Sequence, residues 1–320
     1  MARWATGLNL NAKTAASADE ALETLRSEPC DLAVIDVMMP GHDGLWLAKE
    51  VKREHPHTAL VLATAHVSRL EGEPSTPPIA DLLIKPFARD RFLMAMDRGR
   101  QWRKETLEEM RWNAVLEAEL RRGIENVADA LEERIRNGAD EQEALIAMAE
   151  ERTKDTMEHA ERVLRYALSV ARALGVDPAE MAILEGAARF HDIGKMAIPD
   201  CLLNKPSPLT RGEQAIMRRH VDAGADILAS TRTLNVFAPA VFATHEWYGG
   251  GGYPQNLAGE SIPLASRIIA AVDAYDAMTQ DRNYRSRLGT TGAISELLRC
   301  RGSQFDPKVV SAFLGVLGQH

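Results

Sequence analysis

HDIGKMAIPDCLLNKPSPLT (residues 191–210) opens on an imidazole and a carboxylate side by side and carries an amine at Lys195. Alone, such a pair reads most economically as a surface contact or a satisfied core histidine. Four other segments change that reading: His159 in DTMEHAERV, His220 in IMRRHVDAG, His245 in THEWYGGGGYP and Asp273 in AAVDAYDAMT. Each lies within or at the end of a partly apolar segment with helical spacing. Imidazoles and carboxylates buried together need partners, and one partner that serves several of them is a metal centre. Helices that each turn one or two such ligands inward are a standard way to build a di-metal site in a bundle. A mixed His/Asp set suits Fe or Mn, with Zn or Ni also admitted.

The chain has 320 residues and a formal net charge of -8, enough length for two cores and the wrong charge for a dedicated nucleic-acid or membrane-surface binder. An anionic ligand must therefore meet a local cluster of cations. Cys30, Cys201 and Cys300 are scattered and odd in number, which suggests neither a disulfide framework nor a zinc finger and fits a reducing cytoplasm. No apolar run reaches the length of a membrane span.

Along the chain, SADEALETLRSE has a Ser cap and helical spacing, and DLAVIDVMMP, TALVLATAH and IADLLIKPF are apolar runs of strand length separated by helix-length pieces. That alternation predicts an open parallel α/β sheet over residues 1–98, with functional groups at the strand ends. From Asp90 a long, charged, proline-free stretch predicts an extended helix that Asn137-Gly138 stops, with Asp140 capping the next. Residues 99–150 read as a helical or coiled-coil linker, whose apolar spacing favours a homodimer. Residues 151–320 show helical periods only and predict an all-α bundle.

Asp36, Thr64 and Lys85 end the three apolar runs, so a carboxylate, a hydroxyl and an amine converge at one sheet edge. With the flanking MMPGHDG and KPF, this resembles the receiver domain of bacterial response regulators. The resemblance implies that Asp36 is a phosphate acceptor, Thr64 a switch hydroxyl and Lys85 the cation that pairs with the phosphoryl group, with a sensor histidine kinase as partner. The first strand of a receiver and its Mg²⁺-holding acidic pair have no counterpart here; Asp19 and Glu20 fall on solvent-facing helical positions. Without that pair a divalent ion has too few oxygen ligands beside Asp36, and phosphorylation there is not expected. Two readings stand open: a start placed too late, or a degenerate receiver used for docking or dimerisation. The proline-rich VSRLEGEPSTPPIA, where receivers carry a helix, favours the second.

The order H, HD, H, H, D around GYP resembles the HD-GYP family of cyclic di-GMP phosphodiesterases, within the HD phosphohydrolase superfamily, from about Thr153 to Leu314. The resemblance implies a two-metal centre held by His159, His191, Asp192, His220, His245 and Asp273, with Asp192 bridging. Asp155, four positions before His159, would serve a third ion. It also implies that Lys195 contacts phosphate or leaving oxygen, that Arg282 and Arg285 clamp phosphate, and that Gly252 and Tyr253 in the GYP loop meet the ligand. A diguanylate cyclase is a further partner that it suggests. Thr244 departs from the family, which carries a second histidine ligand there; Trp247 and Gly249 also stand where Arg and Asp are frequent. The expected function is hydrolysis of cyclic di-GMP to pGpG and onward to GMP. The alternatives are a weakly active or inactive dinucleotide sensor or interaction module, and a hydrolase of a related cyclic dinucleotide.

Overall fold

The computed structural model describes residues 4, 10–65, 77–152, 154–280 and 288–318, with the side chains of 154–157 left aside. Of the expectations above, most of the proline-rich 67–80 stretch, Arg282, Arg285 and the side chain of Asp155 lie outside the described residues. The chain divides into two compact units, Met1–Trp112 and Asn113–His320.

In the first unit the elements run α1 (Ala18–Ser27), β1 (Leu32–Asp36), α2 (Gly44–Glu54), β2 (Ala59–Thr64) and β3 (Asp81–Ile84), followed by the long α3 (Arg89–Arg136). The strands form one parallel sheet in the order β1-β2-β3. The period of two along β2 explains its complete burial: Leu60 and Leu62 join the core under α1 and α2, while Val61 and Ala63 meet Phe92, Ala95 and Met96 of α3 on the other face. Ser17 caps α1, accepting the Glu20 N–H at 3.2 Å, and Asp43 caps α2, accepting the Trp46 N–H at 2.9 Å.

Asp36 and Thr64 close their strands and Lys85 follows the third. Lys85 Nζ reaches Asp36 Oδ2 at 2.5 Å, and Thr64 is fully buried. Gly44 is forced by this edge, since a Cβ there would lie 2.1 Å from the Asp36 carbonyl oxygen.

Helix α3 runs unbroken for 48 residues and stops as its sequence requires: Gly138 takes φ 95°, and Asp140 accepts the N–H groups of Gln142 and Glu143 to open α4 (Glu141–Arg152). Its apolar spacing is used inside the chain. Leu116 and Leu120 are buried with Ala197, Ile198 and Leu202, and Val127 and Leu131 enter the main core of the second unit. Residues 113–150 thus group with the second unit.

The second unit continues with α5 (Lys154–Leu174), α6 (Pro178–Phe190), α7 (Asp200–Leu203), α8 (Arg211–Arg218), α9 (His220–Ala229), α10 (Ala238–Phe242), α11 (Leu264–Thr279), α12 (Gly289–Arg299) and α13 (Pro307–Leu317). A short 3-10 strip, Ile193–Ala197, follows α6. Val163, Ala167, Val170 and Ala171 of α5, at offsets of 4, 7 and 8, line one buried stripe against Leu184, Ala187 and Ala188 of α6 and Ile268, Ile269 and Val272 of α11. That packing places the polar ends of α5, α6 and α11 around one point. Among the described residues no helix is long and apolar enough to cross a membrane.

Candidate metal centre

His159 stands on α5, Asp273 on α11, and His191-Asp192 at the turn where α6 ends. The strip that follows can lie against the start of α9 only because residue 194 is glycine. A Cβ there would sit 1.9 Å from the His220 carbonyl oxygen and 2.4 Å from the Gly224 nitrogen. This backbone contact brings Asp192 to His220, and His245, just after α10, faces the same point with its Nε2 3.1 Å from His220 Nε2.

Two donor groups result, His159-His191-Asp192 and Asp192-His220-His245, and they share one carboxylate. Asp192 Oδ2 faces His191 Nε2 at 3.6 Å and His159 Nε2 at 3.9 Å, while its Oδ1 faces His220 Nε2 at 3.6 Å. Asp273 Oδ1 lies 3.0 Å from His159 Nε2. The rings are aimed by their other nitrogens: His191 Nδ1 meets the Ala188 carbonyl at 2.8 Å and His220 Nδ1 meets the Met217 carbonyl at 2.9 Å. Donation to those carbonyls leaves each Nε2 a lone pair directed inward. His191 Nε2 is buried with no hydrogen-bond partner, an arrangement that costs about 1–3 kcal/mol unless something fills it. A divalent cation between these lone pairs and carboxylate oxygens satisfies the orphan, so the residues fit a metal.

The electrostatics agree. Burial opposes charge on Asp192, but Lys195, His191 and His220 outweigh it and hold the carboxyl well below its usual range. Burial pushes His220 down to about 4 despite Asp192, and pushes His245 down as well, so both are neutral near pH 7, the form that could ligate a metal. His159 differs: burial disfavours its charge, yet hydrogen bonds to Asp273 and Asp276 push it up to about 9.

The sequence matches the HD domain family over residues 143–309 and the response regulator receiver domain over 1–97. The cyclic di-GMP phosphodiesterase response regulator RpfG of Xanthomonas campestris pv. campestris is 35% identical over 308 residues, covering 92% of this chain and 78% of that protein. A cyclic di-GMP phosphodiesterase of Thermotoga maritima is 30% identical over 299 residues, covering 90% of this chain and 79% of that protein. The 3'3'-cGAMP-specific phosphodiesterase 2 of Vibrio cholerae serotype O1 is 38% identical over 167 residues, 52% of this chain and 32% of that protein.

The chain belongs to the HD-GYP group of the HD-domain family, joined to a receiver domain.

Around the HD-domain centre the other named residues fall as follows. Lys195 Nζ reaches Asp192 Oδ2 at 2.5 Å, from the next turn of the strip. Tyr253 stacks on His245 with ring centroids 5.1 Å apart and planes 7° apart, and burial pushes its phenol up to about 12. Gly252 is buried, and a Cβ on it would meet the Trp247 nitrogen at 2.2 Å, so this glycine serves closure of the GYP loop on its own backbone. Glu246 fastens that loop by accepting the N–H groups of Gln255 at 2.6 Å and Leu257 at 3.0 Å. Thr244 is buried, and its hydroxyl donates to the Val241 carbonyl at 2.9 Å. Beside it a cavity of about 60 Å³ is lined by Thr244, His245, Trp247, Asp273 and Gln304.

Three residues of the HD-domain site went unassigned in the sequence. Asp276 is buried, meets His159 Nδ1 at 2.7 Å and accepts two hydrogen bonds from Arg162, at 2.8 and 3.0 Å. This is the carboxylate–histidine arrangement that orients a ligand and raises its basicity. A signal was present: His159/Arg162 and Asp273/Asp276 are both i, i+3 pairs, so each shares one helix face. Arg218 lies with its guanidinium 4.9 Å from the Tyr253 ring centroid, a pairing across 35 residues that no local pattern announces.

Proposed function

We propose that the second unit is a metal-dependent phosphodiesterase that hydrolyses cyclic di-GMP to pGpG, with GMP as a further product. The observation that carries this reading is the shared Asp192, whose two oxygens face separate histidine groups. Two ions would be held, one by His159, His191, Asp192 and Asp273, the other by Asp192, His220 and His245. Fe or Mn suits this mixed nitrogen and oxygen set. Bound there, they would supply a hydroxide nucleophile near neutral pH and positive charge against the phosphoryl oxygens. Water adds across one P–O3′ bond, leaving a 5′-phosphate and a free 3′-hydroxyl.

The chain's own groups do the rest. Asp276 and Arg162 fix His159 so that its Nε2 is presented to the centre. Lys195, at 2.5 Å from Asp192 Oδ2, would offer its ammonium to a phosphate oxygen or to the departing 3′ oxygen. Tyr253 braces His245 from its flank, and Arg218 beside it brings a guanidinium to this acidic protein, suited to the second phosphate. Arg282 and Arg285 are proposed as further phosphate contacts, and Asp155 as a ligand to a third ion. For the first unit, a sensor kinase or cyclase as partner and pairing with a second copy are proposals of the same standing.

Thr244 supports a second reading. Its hydroxyl is spent on Val241, so an ion held by His220 and His245 would have one protein ligand fewer than two successive histidines would give. A sensor that binds the dinucleotide without cleaving it would look this way. The test is product analysis of protein reconstituted anaerobically with Fe²⁺ or Mn²⁺ and cyclic di-GMP, beside His191→Ala and Asp192→Ala. Formation of pGpG that depends on both residues supports the enzyme. Tight binding with the dinucleotide intact supports the sensor.

A further inference from the structure

The strip Ile193–Ala197 lies between two close backbone approaches. Toward α9 the gap is closed at Gly194, as described. On the side of α3 it is closed at Gly123, where an added Cβ would lie 2.4 Å from the Ala197 carbonyl oxygen and 3.0 Å from its carbonyl carbon and Cα. All three are backbone atoms, so no side-chain rotation could relieve the clash. On the same helix, three and seven residues before this glycine, Leu120 at 3% exposure and Leu116 at 0% bury against Ala197 and Ile198. Arg152 of α4 adds a hydrogen bond to the Ile198 carbonyl at 3.3 Å.

The strip is tight enough to carry a displacement. Ile198 N–H donates to the Lys195 carbonyl at 3.2 Å, and Lys195 N–H donates to the Asp192 carbonyl at 3.0 Å. Two consecutive hydrogen-bonded turns therefore join Ile198, the neighbour of the residue that Gly123 touches, to the backbone of Asp192, which bears the shared carboxylate.

We propose that Gly123 is a positioning residue for the metal centre: its bare Cα sets the separation of α3 from the strip, and so where Asp192 and Lys195 stand among the histidines. The inference rests on the metal-dependent reading of the site. Among the described residues it is this part of α3, and not a helix bearing a ligand, that fixes one side of the strip. A bulkier residue at 123 must push the strip toward α9, where Gly194 leaves no room, or tilt it and turn Asp192 away from one histidine group. Preorganised ligands displaced by a fraction of an ångström bind more weakly and catalyse more slowly.

The test uses full-length protein and four forms: wild type, Gly123→Ala, Leu120→Ala and Leu131→Ala. Leu131 lies on the same helix in the main core and is the control for simple loss of stability. Mn²⁺ affinity is measured by dialysis against graded free metal, and kcat and KM for cyclic di-GMP are measured at saturating metal. The expected result is that Gly123→Ala loses about tenfold in metal affinity and in kcat, with KM changed much less. Leu120→Ala, which loosens the strip without a clash and covers the case where Gly123→Ala does not fold, should move the same way. Leu131→Ala should lower the melting temperature and leave metal affinity within twofold of wild type. Wild-type metal affinity and kcat in both Gly123→Ala and Leu120→Ala, with normal wild-type turnover, overturns this inference alone. A wild type that neither takes up metal nor hydrolyses the dinucleotide overturns it together with the function it rests on.

Discussion

Replacing Asp276 by asparagine keeps the shape of a buried side chain and removes one charge, and the structure sets what should follow. In the metal-free protein His159 is held between Asp273 at Nε2 and Asp276 at Nδ1, with its pKa raised from 6.5 to about 9. A metal ion must displace the Nε2 proton. At pH 7 that displacement costs about 2.7 kcal/mol, two pKa units' worth, and apparent affinity should climb about tenfold per pH unit below pH 9. The sign for stability runs the other way. With the folded value above 6.5, protonated His159 stabilises the metal-free fold fully below that pH, and the contribution fades as pH rises through 9.

Asp276→Asn acts on both quantities. It weakens His159 as a ligand, which at such positions costs about 10- to 100-fold in metal affinity, and it lowers the proton's hold on the same nitrogen. The deficit relative to wild type should therefore approach its full size only near pH 9 and be visibly smaller near pH 6, where wild type pays most for the proton. Arg162, left facing a neutral amide, loses charge-assisted hydrogen bonds worth about 1.5–3 kcal/mol, so the melting temperature should also fall. Mn²⁺ titrations of metal-free protein across that pH range, with thermal unfolding in parallel, measure both. A deficit identical at both ends of the range, or no deficit at all, refutes the assignment of Asp276 to His159.

Other consequences are quicker to check. Gly194→Ala drives a Cβ into the His220 carbonyl at 1.9 Å; thermal unfolding should show a loss above about 4 kcal/mol, since backbone on both sides blocks relief. Thr244→Val removes a hydroxyl that donates only to Val241, so metal stoichiometry should be unchanged; loss of an ion would make the hydroxyl a ligand. Arg218→Ala should raise KM for cyclic di-GMP about tenfold, the worth of one charged contact, with kcat nearly constant; a fall in kcat at constant KM would contradict a binding role.

Much of this architecture is legible in the chain because its signals are local. The three strands end at Asp36, at Thr64 and just before Lys85, as the apolar runs indicate, and Asn137-Gly138 stops α3 where turn chemistry requires it. HDIGK announces its role through residue type, and Gly194 shows the physical reason for its glycine only once α9 lies against it. What the sequence hides is the use of a surface. The apolar spacing of α3 reads first as a seam for a second helix, but the same pattern serves a face for its own chain, and the structure spends Leu116, Leu120, Val127 and Leu131 on the latter. Asp276 is similar: the string DAYD shows an acid on the face of Asp273, but only packing of α11 against α5 tells that it meets His159.

The central claim is that Asp192 joins two metal ions between separate histidine groups. Titration of metal-free protein with Mn²⁺, followed by electron paramagnetic resonance, tests it most directly. Two ions per chain with an exchange-coupled signal are expected in the wild type, and in Asp192→Asn a loss of that coupling. A single isolated ion in the wild type, or a coupled pair that persists in Asp192→Asn, would contradict it.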